Sequence, residues 1–239
     1  RSTLMSPPPP VIEAEQLCRR FGRRWAFARV DLHVATGESL LVVGANGSGK
    51  TTLLRVLGTV LRPSQGNLRL FGTDPAQDPV AVRRRLALLS HHSGLYEDLS
   101  ARDNLGVIAR LGGHGAHDAA ALLEQVGLDD RPDPIRAFSA GMRKRLQVAT
   151  LLLQRPELVL LDEPFAALDP AGVDDVAALL RGLGATLVVT SHRIAKAARL
   201  CDRAVLLEEG LPRWSGPAHD AVRAWSALHP GSAPAEVAG

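Results

Sequence analysis

GANGSGKT, Gly44 to Thr51, constrains this chain more than any other stretch, because it matches G-x-x-x-x-G-K-[ST] at every fixed position. It lies between a compact apolar run, Ser39 to Val43, and a segment from Thr52 to Leu61 in which Leu53, Leu54, Leu57 and Leu61 recur at helical spacing. That strand–loop–helix setting is the one the motif requires. The glycines let Gly44, Ala45, Asn46, Gly47, Ser48 and Gly49 curl so that successive N–H groups point inward as an anion nest. The following helix adds its positive N-terminal end. Lys50 puts a mobile cation where β- and γ-phosphates would sit, and the Thr51 hydroxyl is available to Mg²⁺. Thr52 completes the expected nucleotide-binding set.

A loop of this kind binds a nucleoside triphosphate without saying what happens next. The apolar run Leu158 to Leu161 ends in Asp162 and Glu163, which places two carboxylates at the C-terminal end of a buried strand. Ligands bind there in open α/β sheets. Asp162 suits the water shell of the metal, and Glu163 suits the polarising of an attacking water in line with the γ-phosphate. An Asp-Glu pair ending a strand is ordinarily a solvated terminus; behind a complete phosphate loop it reads as catalytic. His192 follows the run Leu187 to Ser191 and falls on the same rim, where a γ-phosphate contact is expected of it.

The rest of the chain supports an α/β fold. Ala26 to Ala35 alternates like a half-buried strand, Asn67 to Phe71 reads as a short one, and further strands are expected at Ala185 to Thr190 and Arg203 to Leu207. Helices are expected near Ala171 to Gly182 and from Ile194 to Cys201. Apolar strands alternating with helices indicate a mostly parallel sheet covered on both faces. Residues 1–10 read as a disordered leader with Met5 as the natural start, and 217–239 as a short amphipathic helix and tail.

Composition narrows the classes. A net charge of +3 in 239 residues is too small an excess for a nucleic-acid binder, and no nucleic-acid partner is expected. Cys18 and Cys201 form no C-x-x-C pair, which sets aside a zinc or disulfide framework. No apolar run reaches the roughly 18 to 20 residues that span a bilayer. Arg83-Arg84-Arg85 and Arg143-Lys144-Arg145 read as solvated helix faces.

Taken in order, the phosphate loop, FSAGMRKRLQVA (Phe138 to Ala149), LLDEP (Leu160 to Pro164), AALD (Ala166 to Asp169) and TSH (Thr190 to His192) resemble the ABC ATPase family over about residues 11–216. The resemblance implies a P-loop NTPase: a RecA-like core, an N-terminal antiparallel β part and an inserted α-helical subdomain at about residues 91–155. It implies ATP and Mg²⁺ as ligands, integral membrane permease subunits as partners, and a peripheral place on the cytoplasmic side of the inner membrane. It also implies an ATP-dependent head-to-tail dimer with a second ABC ATPase subunit. In that dimer Ser139 and Gly141 face the γ-phosphate bound by the other subunit, and Asp169 lies across the interface. Phe21 looks like the residue that stacks on adenine.

Two departures stand out. The signature, usually Leu-Ser-Gly-Gly-Gln, here has Ala140 and Met142, and the family's metal-touching Gln is replaced by His92 in Ser90-His91-His92-Ser93. A histidine coordinates Mg²⁺ less readily than a carboxamide oxygen, so weaker or water-mediated metal contact is expected there. The SHHSGLY and SAGM segments look most like the haem-exporter ATPase of cytochrome c maturation, with ABC-2-type exporter ATPases for drug or lipid cargo as close relatives. A soluble ABC ATPase of iron–sulfur assembly is the other alternative.

Overall fold

Two long strands begin the fold: β1 (Pro10–Phe21) and β2 (Arg24–Ala35) pair antiparallel through several register shifts. The computed structural model describes residues 10–90, 94–115 and 117–230. At one shift Gln16 takes a left-handed φ of 48°, and Asp31 holds it there by accepting from its backbone N–H at 2.6 Å and its side-chain amide at 2.7 Å. β3 (Ser39–Val43) runs into α1 (Lys50–Leu57), and β4 (Gln65–Leu70) returns to β1 to complete a three-stranded sheet ordered β2-β1-β4. Next come α2 (Pro79–Arg83) and β5 (Leu86–Leu89), then α3 (Ala101–Gly112), α4 (Ala119–Gln125) and α5 (Ala140–Gln154). The chain re-enters the core through β6 (Leu158–Asp162), α6 (Pro170–Gly182), β7 (Thr186–Thr190), α7 (Ile194–Ala198) and β8 (Arg203–Glu208). An edge strand, β9 (Leu211–Pro217), and α8 (Ala221–Leu228) follow.

The second sheet is six-stranded, ordered β5-β6-β7-β3-β8-β9, with all neighbours parallel except the antiparallel β8–β9 pair. It is the wall between two cores. Because side chains alternate across a strand, Leu40 and Val42 of β3 join Leu158, Leu160 and Val188 under the three-stranded sheet and α1. Leu41 and Val43 join Val159, Leu161 and Val189 against the helices on the other face. Each such fully buried side chain contributes about 1.5–3 kcal/mol, and burial on both faces holds the strand ends rigidly. All the parallel strands end on one rim, and the loops after β3, β6 and β7 meet there.

Helices α3, α4 and α5 form the inserted layer. Ser100 caps α3 by accepting from Asp103 N–H at 3.1 Å. The buried Asn104 amide donates to the carbonyls of Tyr96 and Ser100 at 3.0 and 2.9 Å, fixing the segment that enters α3.

Several expectations need correction. The helix expected at Thr52–Leu61 spans Lys50–Leu57, because Thr59 adopts a left-handed φ of 59° and turns the chain away. The helix expected to reach Cys201 ends at Ala198, where the bonds of Arg199 and Leu200 tighten to carbonyls three residues back. Pro10, placed in the leader, is the first residue of β1; residues 1–9 lie outside the described residues. The face expected to be solvated at Arg143, Lys144 and Arg145 is half-buried, since α5 packs against α3, α4 and α6. Among the described residues no helix is long and apolar enough to cross a membrane.

Candidate active site

The loop between β3 and α1 owes its shape to close approach. Gly49 sits at φ 99°, and a Cβ there would lie 2.3 Å from the carbonyl oxygen of Ala26 on β2. Only glycine serves at such a point. Gly49 is also the N-cap of α1 and supplies no side chain to cap it, so the helix opens bare onto the rim. The Lys50 ammonium turns back on its own loop and donates to the carbonyls of Gly44 at 2.7 Å and Ala45 at 3.0 Å. Lys50 is 8% exposed. Its burial lowers the ammonium pKa, and the nearby carboxylates of Glu163 and Asp162 oppose that shift.

Asp162, 3% exposed, closes β6 beneath the loop. Its Oδ1 accepts from the Thr190 hydroxyl at 2.7 Å and the Thr51 hydroxyl at 3.1 Å. Its Oδ2 is buried with no hydrogen-bond partner. An orphaned carboxylate oxygen beside a hydroxyl is a hard-oxygen donor set of the kind Mg²⁺ takes. Among the described residues no cluster of three or more His, Cys, Asp or Glu surrounds it, so a cation here would complete its shell with phosphate oxygens and water.

Glu163 has a left-handed φ of 52°, a strain of order 1–3 kcal/mol for a non-glycine residue. Its N–H is held by the Thr190 carbonyl at 3.1 Å and hydroxyl at 3.3 Å. Its carboxylate accepts from the His192 backbone N–H at 2.9 Å through Oε1, and Oε2 lies 2.9 Å from His192 Nδ1. With Nδ1 engaged, the half-exposed imidazole keeps Nε2 for a ligand.

Lys50, Thr51, Asp162 and Glu163 border a cleft of about 520 Å³ lined also by Phe21, Arg24, Trp25, Asn46, Gly47, Gly49 and Thr52, with Ala26 at its wall. Phe21 and Trp25 are 50% and 43% exposed there, with the guanidinium groups of Arg19 and Arg20 over their rings at 4.6 and 5.7 Å. Several contributors escaped the sequence reading, Arg24 of the cleft lining among them. Trp25 sits four positions past Phe21, across a hairpin turn that was not foreseen. Thr190, read only as part of TSH, braces both Asp162 and Glu163. Lys144 is half-buried on α5; burial lowers its pKa, and the charges of Asp162 and Glu163 oppose that shift.

Ser48, 3% exposed, stands behind the loop with an unpartnered hydroxyl. Of the other predicted residues, Gly44 and Ala45 belong to the loop and His192 stands against Glu163 without lining the cleft, while Ser139, Gly141 and Asp169 lie away from it. Ser139 caps α5, its Oγ accepting from Met142 N–H at 3.2 Å, with Gly141 in the first turn. Asp169 caps α6, its Oδ1 accepting from Gly172 N–H at 3.0 Å. They sit on a separate edge made by two helix N-termini. His92 lies outside the described residues.

The family described as "ABC transporter" matches residues 27–166. The daunorubicin resistance ATP-binding protein DrrA3 of Streptomyces coeruleorubidus is 40% identical over 200 residues, covering 80% of this chain and 63% of that protein. The bacitracin transport ATP-binding protein BcrA of Enterococcus faecalis is 31% identical over 206 residues, covering 84% of this chain and 67% of that one. A solved structure described as the ATP binding subunit of an ABC transporter superposes with a TM-score of 0.80 at 26% identity, over 93% of this chain and 95% of the other. This chain thus spans 63% of the length of the first relative and 67% of the second.

Proposed function

The chain belongs to the ABC transporter family and has its P-loop NTPase fold, and from that premise we propose that it binds and hydrolyses ATP to power a separate membrane subunit of an exporter. The observation that carries the reading is the convergence of Lys50, Thr51, Asp162 and Glu163 on one cleft, with His192 held against Glu163. In this reading the base stacks on Phe21, with Trp25 beside it, and the phosphates lie on the loop N–H groups at the open end of α1. Phosphate oxygens take the place of the Gly44 and Ala45 carbonyls at the Lys50 ammonium. Thr51 and Asp162 would hold Mg²⁺, which when bound offsets phosphate charge. Glu163 accepts the proton of the attacking water, and His192 holds the carboxylate in line while its free nitrogen faces the γ-phosphate. Ser139, Gly141 and Asp169 complete the site from a second cassette in a head-to-tail dimer.

A separate groove of about 730 Å³ supports a membrane partner. It runs between α2 and the C-terminal ends of α3 and α5, lined by Val80, Arg83, Arg84, Arg110, Leu111 and Pro156 among others. Val80 and Leu111 are exposed, and none of these arginines forms an ion pair among the described residues. Such a surface suits a short amphipathic segment carrying acidic side chains, supplied by the permease at the cytoplasmic side of the cell membrane. For cargo, the names of the relatives favour a drug- or antibiotic-type exporter. They lend no support to the haem exporter of cytochrome c maturation, so the alternative carried beside it takes its place.

The test joins turnover to partner. Wild-type chain with Mg-ATP should release phosphate, and Glu163→Gln should slow this by about a hundredfold or more. Tagged Glu163→Gln, purified from detergent-solubilised native membranes with Mg-ATP, should bring down a multi-span permease identified by mass spectrometry. A membrane fraction that yields only soluble partners would overturn the exporter reading, and recovery of haem-handling subunits would restore the haem assignment.

A further inference from the structure

Arg145 lies on α5, nearly two helical turns beyond the Ser139 cap. Its side chain is only 23% exposed, and its planar fork reaches in two directions. Nη1 donates to the carbonyl of Val126, the residue that closes α4, at 3.0 Å. Nη2 approaches Asp175 Oδ2 on α6 at 3.5 Å. The same Nη2 lies 3.2 Å from where a Cβ on Gly172 would stand, and Asp169 Oδ1 lies 2.6 Å from that point. The guanidinium and the capping carboxylate of Asp169 therefore share the space over Gly172, and a side chain there would push on both. Asp169 in turn organises the first turn of α6, accepting from Gly172 N–H through its side chain and from Val173 N–H through its carbonyl, both at 3.0 Å.

We propose that Arg145 is a positioning residue that sets the first turn of α6, and with it Asp169, according to where the inserted helices stand. One guanidinium joins the end of α4, the body of α5 and the start of α6. A shift of the α3–α5 layer against the core is thereby passed to the edge that carries Ser139 and Asp169. A lysine cannot do this, because a single ammonium on a flexible stem does not span the Val126 carbonyl and the Asp175 carboxylate together. That this edge acts on a second cassette's nucleotide rests on the function proposed above; the tether itself does not.

The experiment compares amide hydrogen exchange and ATP turnover in the full chain as wild type, Arg145→Ala, Arg145→Lys and Gly172→Ala. In nucleotide-free chain, Arg145→Ala should speed exchange at Gly172 and Val173 about tenfold while the amides of β6 keep their rates. Arg145→Lys should recover only part of the protection. Gly172→Ala, which crowds Asp169 and the guanidinium from the other side, should produce the same local acceleration at Val173. In turnover, Arg145→Ala should lower kcat about tenfold with KM for ATP unchanged. Wild-type exchange at Gly172 and Val173, an equal acceleration throughout the molecule, or an unchanged kcat despite faster local exchange each overturns the proposal. A wild-type chain without ATP turnover would count against the proposed function instead, and the exchange comparison would still decide the tether.

Discussion

The helices that carry the predicted site residues begin in two different ways. Helix α1 opens onto the cleft behind Gly49 with no side-chain cap, whereas α5 and α6 are closed by their own residues, Ser139 and Asp169. An uncapped N-terminus leaves donor N–H groups and the positive end of the dipole to a ligand. A capped one is satisfied without any ligand. The cleft is therefore suited to an anion that would complete it, and the α5–α6 edge is a finished surface whose polar groups would have to exchange partners to act. Lys50 shows the same incompleteness: its ammonium is buried and, among the described residues, hydrogen-bonds to carbonyls of its own loop.

Changes on the two sides should separate binding from stability. The largest effect is expected at Lys50→Met, which should weaken ATP binding to the single chain about 10- to 100-fold through loss of charge-assisted hydrogen bonds. Titration with a fluorescent ATP analogue measures this, and an unchanged affinity would remove Lys50 from phosphate binding. Ser139→Ala should do the reverse. It removes the cap of α5, at a cost of about 1 kcal/mol, and should lower Tm by about 2–4 °C. Affinity of the single chain for ATP should stay the same, and a weakened affinity would place Ser139 in the same cleft as Lys50. The smallest effect is in pH. Burial holds the folded-state pKa of Lys50 below its ordinary value. Between the folded and unfolded pKa the unfolded chain carries the extra proton, so stability rises as the solution is made alkaline through that window. Lys144 is shifted in the same direction and adds to the rise. Denaturant midpoints followed upward from neutral pH should show the increase, and Lys50→Met should flatten it; an equal slope in both proteins would assign the effect elsewhere.

The cleft was legible because its parts are local. Gly44 to Thr51 form one loop, and Asp162, Glu163 and His192 each follow an apolar run whose end a strand pattern marks. Order in the chain and the rule that parallel strands finish on one rim were enough to bring them together. The adjoining residues were hidden for a matching reason. Trp25 reaches the cleft only because a hairpin places Arg20 opposite it. Thr190 matters because β6 and β7 are neighbours in register, Asp162 beside Thr190. Lys144 and Arg145 read as one basic surface run, yet Lys144 feels the charges of Asp162 and Glu163 while Arg145 reaches α4 and α6. Adjacent helical residues point about 100° apart, and only packing assigns each direction its neighbour.

What the sequence determined by itself is the fold class and the make-up of the loop proposed to hold phosphate, since both are written in short segments whose geometry follows from glycine freedom, strand alternation and one buried cation. Tertiary structure alone decided which helix N-terminus stays open, which carboxylate oxygen is left without a partner, and which arginine ties the inserted helices to α6. Those outcomes depend on contacts between residues far apart in the chain, and the energy that selects them comes from two cores packed on opposite faces of one sheet.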